Sequence, residues 1–359
     1  MIRTQWAVGL CALAGTLVCA ACSNEDTSGT GGAGANINGG TGGSGNSGNS
    51  GNTGGSGNSG NTGGSGNNGN TGGAPSLDGC PIFPADNAWN TDISAYPVHA
   101  NSDTYIDSIG RQTGMHADFG TVWDGAPIGI PYVLVPGSQP MVPINFTDYG
   151  DESDPGPYPV PPDAPIEGGP QGGGDRHVLV VETGTCTLYE LYNAWPQNGG
   201  ASWDASSGAI WDLEVNDTRP AGWTSADAAG LPIFPGLVRY DEVVTNGVIN
   251  HAIRFTVSSS QTGYIAPASH SAGDPDPSLP PMGLRLRMKA SYDCSGLPAE
   301  IQVLCTAFKT YGLIVADNGS DWYVSGAPDP SWSDDNLHGI DGITGDAFEV
   351  VDTGPIVGG

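Results

Sequence analysis

Between residues 23 and 76 the chain holds almost nothing that can be buried. GNTGGSGNS runs from Gly51, GNTGGSGNN from Gly60, and the repeat begins again at Gly69. Such a tract gains too little apolar contact to offset the entropy of ordering its backbone. It therefore divides the chain: residues 1–21 read as a targeting segment, 22–76 as a disordered linker and 77–359 as a single globular domain. The repeat lacks the regularly placed aspartate and apolar position of a calcium-binding β-roll, so only its glycine content is shared with one. As a flexible coil it spans about 40 Å root-mean-square, taking roughly 5–6 Å times the square root of length.

The first residues have the layout of an export signal. Arg3 supplies the positive charge, and Trp6–Ala21 is apolar but short of the about 20 residues a membrane span needs. The ending Val18-Cys19-Ala20-Ala21-Cys22 resembles the lipobox of bacterial lipoproteins, although Cys19 stands where leucine is usual. The resemblance implies that Cys22 is lipidated and becomes the mature N-terminus. It implies contact with a membrane through a lipid anchor only, at the cell envelope or surface. Ser23, rather than aspartate, points by the same resemblance to the outer membrane. An ordinary signal peptide cut nearby is the alternative, since small residues suit that cleavage as well.

Export fixes how the remaining residues are read. Asp and Glu number 38 against 10 Lys and Arg, a formal charge of −28. A chain this acidic repels nucleic acid and anionic lipid, which leaves a neutral glycan, a cation or a basic protein as partner. Of 7 cysteines, Cys80, Cys186, Cys294 and Cys305 remain beyond Cys22. An even number in an exported domain implies disulfides. Cys294 and Cys305 are close in sequence around a helix start, and pairing them leaves Cys80 for Cys186. A zinc site is the alternative, but no C-x-x-C spacing supports it.

The centre of the domain is Asp175–Trp195, where apolar strands at His177–Glu182 and Thr187–Asn193 flank a turn through Gly184. Further strands are expected at Tyr132–Val135, Val142–Phe146, Ala209–Leu213, Ile249–Val257, Leu284–Lys289 and Ala347–Asp352, between loops rich in Pro and Gly. Helical spacing predicts a helix over Pro298–Tyr311, with shorter ones at Tyr105–Arg111 and Ser333–Ile340. The expected class is mainly β, a β-rich α+β domain: an antiparallel β-sandwich or jelly roll with a few packed helices.

Strand alternation places His177 with Leu179 and Val181, Glu190 with Leu188 and Tyr192, and His251 with Ile249 and Ile253. Ionisable groups on apolar faces are how general acids and bases are tuned, so these three are the candidate catalytic residues. Taken singly, each is more readily explained as a hydrogen-bonded core group. Asp212 and Glu214 also alternate onto one face, a spacing compatible with a hydrolytic pair or with a solvated edge. Asp148, Asp151, Glu152 and Asp154 are dense enough in oxygen ligands for Ca²⁺, without the EF-hand order. Of 9 tryptophans all but Trp6 fall in the domain, several beside Gly, Asn or Asp, as in sugar-binding loops. No G-x-S-x-G, H-E-x-x-H or Walker sequence occurs, so the usual support for a serine hydrolase, zincin or P-loop enzyme is missing.

The phrases GLPIFPGLVRYDEV, INHAIRFTV, PPMGLRLRMKAS and KTYGLIVADNG resemble a group of secreted bacterial domains of uncharacterised role, across most of Cys80–Asp352. That resemblance carries no activity, substrate or site residue. The expectation from sequence is an envelope lipoprotein whose β-rich domain binds, and cleaves if catalytic, a glycan. The alternative is a non-catalytic adhesion or scaffold domain stabilised by Ca²⁺.

Overall fold

The computed structural model describes residues 74–358. The targeting segment, Cys22 and nearly all of the linker lie outside them. The domain is strand-rich with few helices, a β-rich α+β fold as the sequence leads one to expect.

Three sheets carry it. The four-stranded sheet has the order β12 (Ser207–Asp212), β9 (Thr187–Tyr192), β8 (Val178–Glu182) and β6 (Tyr132–Val135). The six-stranded sheet runs β17 (Phe348–Val351), β14 (Arg285–Met288), β15 (Leu313–Asn318), β13 (Ile253–Val257), β16 (Tyr323–Ser325) and β3 (His116–Asp118). A three-stranded sheet joins β10 (Trp195–Gln197), β11 (Ser202–Ala205) and β7 (Ile144–Phe146). Two antiparallel pairs complete the set: β1 (Ser76–Leu77) with β2 (Cys80–Pro81), and β4 (Val122–Trp123) with β5 (Ala126–Pro127).

The hairpin read from the sequence is the β8–β9 pair at the middle of the four-stranded sheet, with Leu179 opposite Glu190. Period-two alternation then divides its side chains. Leu179, Val181 and Leu188 enter the large core, which also holds Ile253, Phe255 and Leu313 of the six-stranded sheet. Val178, Val180, Tyr189 and Leu191 enter a second core with Trp203 and Ala205 of the three-stranded sheet. Both faces are buried, so the hairpin is the middle layer.

The sheets are mixed as well as layered. β6–β8, β13–β15, β7–β11 and β3–β16 pair in parallel, beside antiparallel neighbours. Parallel neighbours need long crossovers, here the loops and helices that separate these strands in sequence. Helix α1 (Ser102–Ile109) buries Tyr105, Ile106 and Ile109, and Arg111 beyond it pairs with Asp107 and Asp103. Helix α2 (Ala299–Thr310) buries Ile301, Leu304 and Phe308, with Phe308 against Phe348 of β17. Helix α3 (Asp334–Leu337) starts at Ser333, whose hydroxyl accepts from the Asn336 amide. Both expected disulfides form: Cys80–Cys186 ties the first residues to the β8–β9 turn, and Cys294–Cys305 joins the segment before α2 to its interior.

Candidate functional site

The three ionisable groups chosen from strand parity do not converge. His177, immediately before β8, has its Nδ1 2.6 Å from Glu167 Oε2, and its Nε2 donates to the Ala226 carbonyl oxygen at 3.0 Å. Burial works against a charged ring, but the Glu167 carboxylate overrides it and holds His177 up at about 9. Glu190, fully buried on β9, accepts from the amides of Ile233 and Phe234 at 2.9 Å and from Trp211 Nε1 at 3.2 Å. Burial raises it to about 7, against the pull of those amides. His251 donates through Nδ1 to the Ala252 carbonyl at 2.7 Å and sets Nε2 3.1 Å from Glu242, which also pairs with Arg239.

These are three separate nests inside the fold, each closed by protein partners. His177 and Glu190 sit on core faces of the hairpin, His251 lies in a bend ahead of β13 and not within the strand expected over Ile249–Val257, and the structure does not bring the three into one cleft. None of the three lines the groove or the hollow described below.

The acidic residues of the calcium reading have separate surroundings. Asp148 accepts from Ser206 and Thr147, Glu152 from the Thr224 amide, and Asp154 pairs with Arg219 at 2.6 Å. Asp151 lies exposed on the turn between them. Among the described residues no group of three or more His, Cys, Asp or Glu could hold a metal ion. Asp212 and Glu214 are exposed at a turn, with the Glu214 amide donating to Asp212.

The tryptophans separate sharply. Trp89, Trp203, Trp211, Trp322 and Trp332 are core residues. Trp195 is exposed on one side, but the Arg176 guanidinium stacks on it 3.6 Å from the ring centre. Trp123 is 76% exposed. It projects from the β4–β5 hairpin, whose turn residues Asp124 and Gly125 both have positive φ, 50° and 83°. An Asp-Gly turn of this kind matches the twist of the flanking strands.

Beneath Trp123 opens a groove of about 610 Å³. Its floor is β3, the edge of the six-stranded sheet, paired in parallel with β16 so that Tyr323 adjoins His116 and Ser325 adjoins Asp118. Alternation turns Ala117 into the core and both His116 and Asp118 toward the groove. The His116 and Tyr323 rings lie 4.4 Å apart. Asp118 is raised by burial and by the nearby Glu167 carboxylate. Asp334, at the start of α3, forms the opposite wall and accepts from the Thr121 amide at 3.0 Å and from the Thr121 hydroxyl. Gly120 permits this approach, since a Cβ there would stand 2.6 Å from Asp334 Oδ1.

An ionic row runs inward from the groove. Arg254 on β13 donates to Ser325, to both oxygens of Asp227 at 2.7 and 2.8 Å, and to Asp317 at 3.2 Å. Asp317 is raised by burial and by Asp227, with Arg254 offsetting only part of this. It faces a smaller hollow of about 220 Å³, together with Asp175, Tyr192 and His270. His270 donates through Nδ1 to the Ala228 carbonyl oxygen. The residues missed in the sequence are therefore Asp118, Arg254 and Asp317. The one local signal was Asp124-Gly125, which marks a hairpin and so a projecting Trp123.

No protein-family model matches this chain, and neither a curated protein nor a solved structure matches it.

Proposed function

We propose that this chain is a lipid-anchored envelope protein whose β-rich domain binds a glycan in the groove beneath Trp123. The observation that carries the reading is the indole, 76% exposed at the rim of a groove of about 610 Å³. An exposed indole supplies the flat apolar face on which a sugar ring stacks, and the imidazoles and carboxylates below it suit hydroxyl groups. The charge of −28 favours neutral or amino sugars over acidic ones. The anchor is Cys22 by its lipobox-like context, with the linker holding the domain clear of the membrane surface.

The binding test is a polysaccharide array of neutral, amino-sugar and acidic polymers, read with wild type and Trp123→Ala. Binding to a neutral or amino-sugar polymer that weakens at least tenfold in the variant is expected. No binding, or equal binding by the variant, removes the reading. Fatty-acid labelling that is lost in Cys22→Ser tests the anchor. The second reading, an adhesion domain without catalysis, draws support from the closed nests of His177, Glu190 and His251. It predicts binding with no release of reducing ends.

A further inference from the structure

We infer that the groove beneath Trp123 hydrolyses glycosidic bonds in neutral or amino-sugar polymers, with Asp118 as proton donor and Asp334 as the base that activates water. This rests on the glycan reading above and adds a reaction to it. Both carboxyls line the one groove. Asp334 Oδ1 comes within 2.6 Å of where a Cβ on Gly120 would stand, two residues beyond Asp118.

The two environments differ in the sense such a pair needs. Asp118 is raised by burial first and by Glu167 second, so its proton is held nearer to neutral pH. Asp334 is exposed to solvent, and Thr121 fixes its orientation through an amide and a hydroxyl. One carboxyl sits low in the groove and the other stands on the wall open to water. Trp123, at the rim, supplies the platform that sets the sugar between them.

The step balances without a co-reactant other than water. The Asp118 proton moves to the glycosidic oxygen as the bond from that oxygen to the anomeric carbon breaks. Asp334 takes a proton from a water whose oxygen forms the new bond to the same carbon. Exchange through solvent then moves the proton from Asp334 back to Asp118. A single displacement inverts the anomeric configuration.

The full chain is incubated with soluble β-glucan, xylan and chitosan, and bound polymer and new reducing ends are measured separately. Binding with release of reducing ends is expected, with inverted product and with a rate at least 100-fold lower in D118N and in D334N. Binding of these polymers without release overturns the hydrolytic inference and leaves the glycan reading standing. Binding of none of them removes both. Release that stays within threefold of wild type in D118N overturns the assignment of Asp118. Should D118N not fold, the wild-type pH profile decides: the rate falls as pH rises and Asp118 loses its proton, and a rate that does not fall overturns the assignment.

Discussion

Two parts of this domain hold carboxylates and imidazoles, and they treat them in opposite ways. In the interior the ionisable groups are sealed: His177 and Glu190 on the β8–β9 hairpin against Glu167, Ala226 and the amides of Ile233 and Phe234, and His251 ahead of β13 against Glu242. At the edge strand β3, Asp118 and His116 face a groove open to solvent beneath an exposed indole. A shifted pKa occurs in both places, so the shift alone does not separate them. What separates them is whether the donors and acceptors are already used by the protein. A group closed on all sides fixes the fold, whereas one facing an open groove is free to meet a ligand.

The largest expected effect lies on the sealed side. Glu190→Ala leaves the amides of Ile233 and Phe234 and the Trp211 indole N–H without their acceptor, in a fully buried site. Lost hydrogen bonds and the cavity together predict a loss of about 3–5 kcal/mol in denaturant unfolding. A loss below about 1 kcal/mol would mean that Glu190 is not a structural anchor, and the contrast with the groove would fail.

The next effect is carried by pH. His177 is raised from 6.5 to about 9 by Glu167, so the folded state holds its proton more tightly than the unfolded state. Its contribution is full below about pH 6.5 and fades as pH rises through about 9, an amount of order 3 kcal/mol. Glu190, raised from 4.5 to about 7, also loses stability as pH rises, but in a lower window. Unfolding measured between pH 8 and 9.5, above the window of Glu190, therefore reads mainly His177. Wild type is expected to weaken across that interval and His177→Gln to stay nearly flat. Equal slopes in both proteins would assign the ion pair no role.

The strand pattern made one side of this contrast legible and hid the other. Period-two alternation was enough to place His177 beside Leu179, and Glu190 beside Leu188, on one face of the hairpin. It did not say what that face meets, because the partners come from loops elsewhere in the chain: Glu167, Ala226, Ile233 and Phe234. The disulfides were legible because few cysteines leave few pairings. The parallel neighbours were not, since a crossover strand such as β15 or β16 announces no partner in its own residues. Asp118 is one acid in a three-residue strand, and its position follows only from parallel pairing with Ser325 across 207 residues of sequence (325 minus 118). The class of fold is a local property of alternation and turns, whereas the groove is built by long-range pairing at a sheet edge.

The smallest expected effect tests whether the open side is as separate from the core as its geometry implies. Gly125 has φ of 83° in the β4–β5 turn, and nothing lies within 4 Å of where its Cβ would be. Gly125→Ala therefore meets no clash. Its cost is the backbone conformation alone, about 1 kcal/mol. That cost falls on a two-stranded hairpin carrying the exposed Val122 and Trp123. Two-stranded hairpins are marginal by themselves, so the turn opens locally before the domain unfolds. Hydrogen exchange of the Trp123 and Ala126 amides should quicken by about fivefold, while the β8 and β9 amides keep their wild-type rates. If β8 and β9 quicken in step, the hairpin and the core unfold as one unit. The platform above the groove would then be part of the same rigid body as the sealed nests, and Trp123 could not be altered without disturbing them.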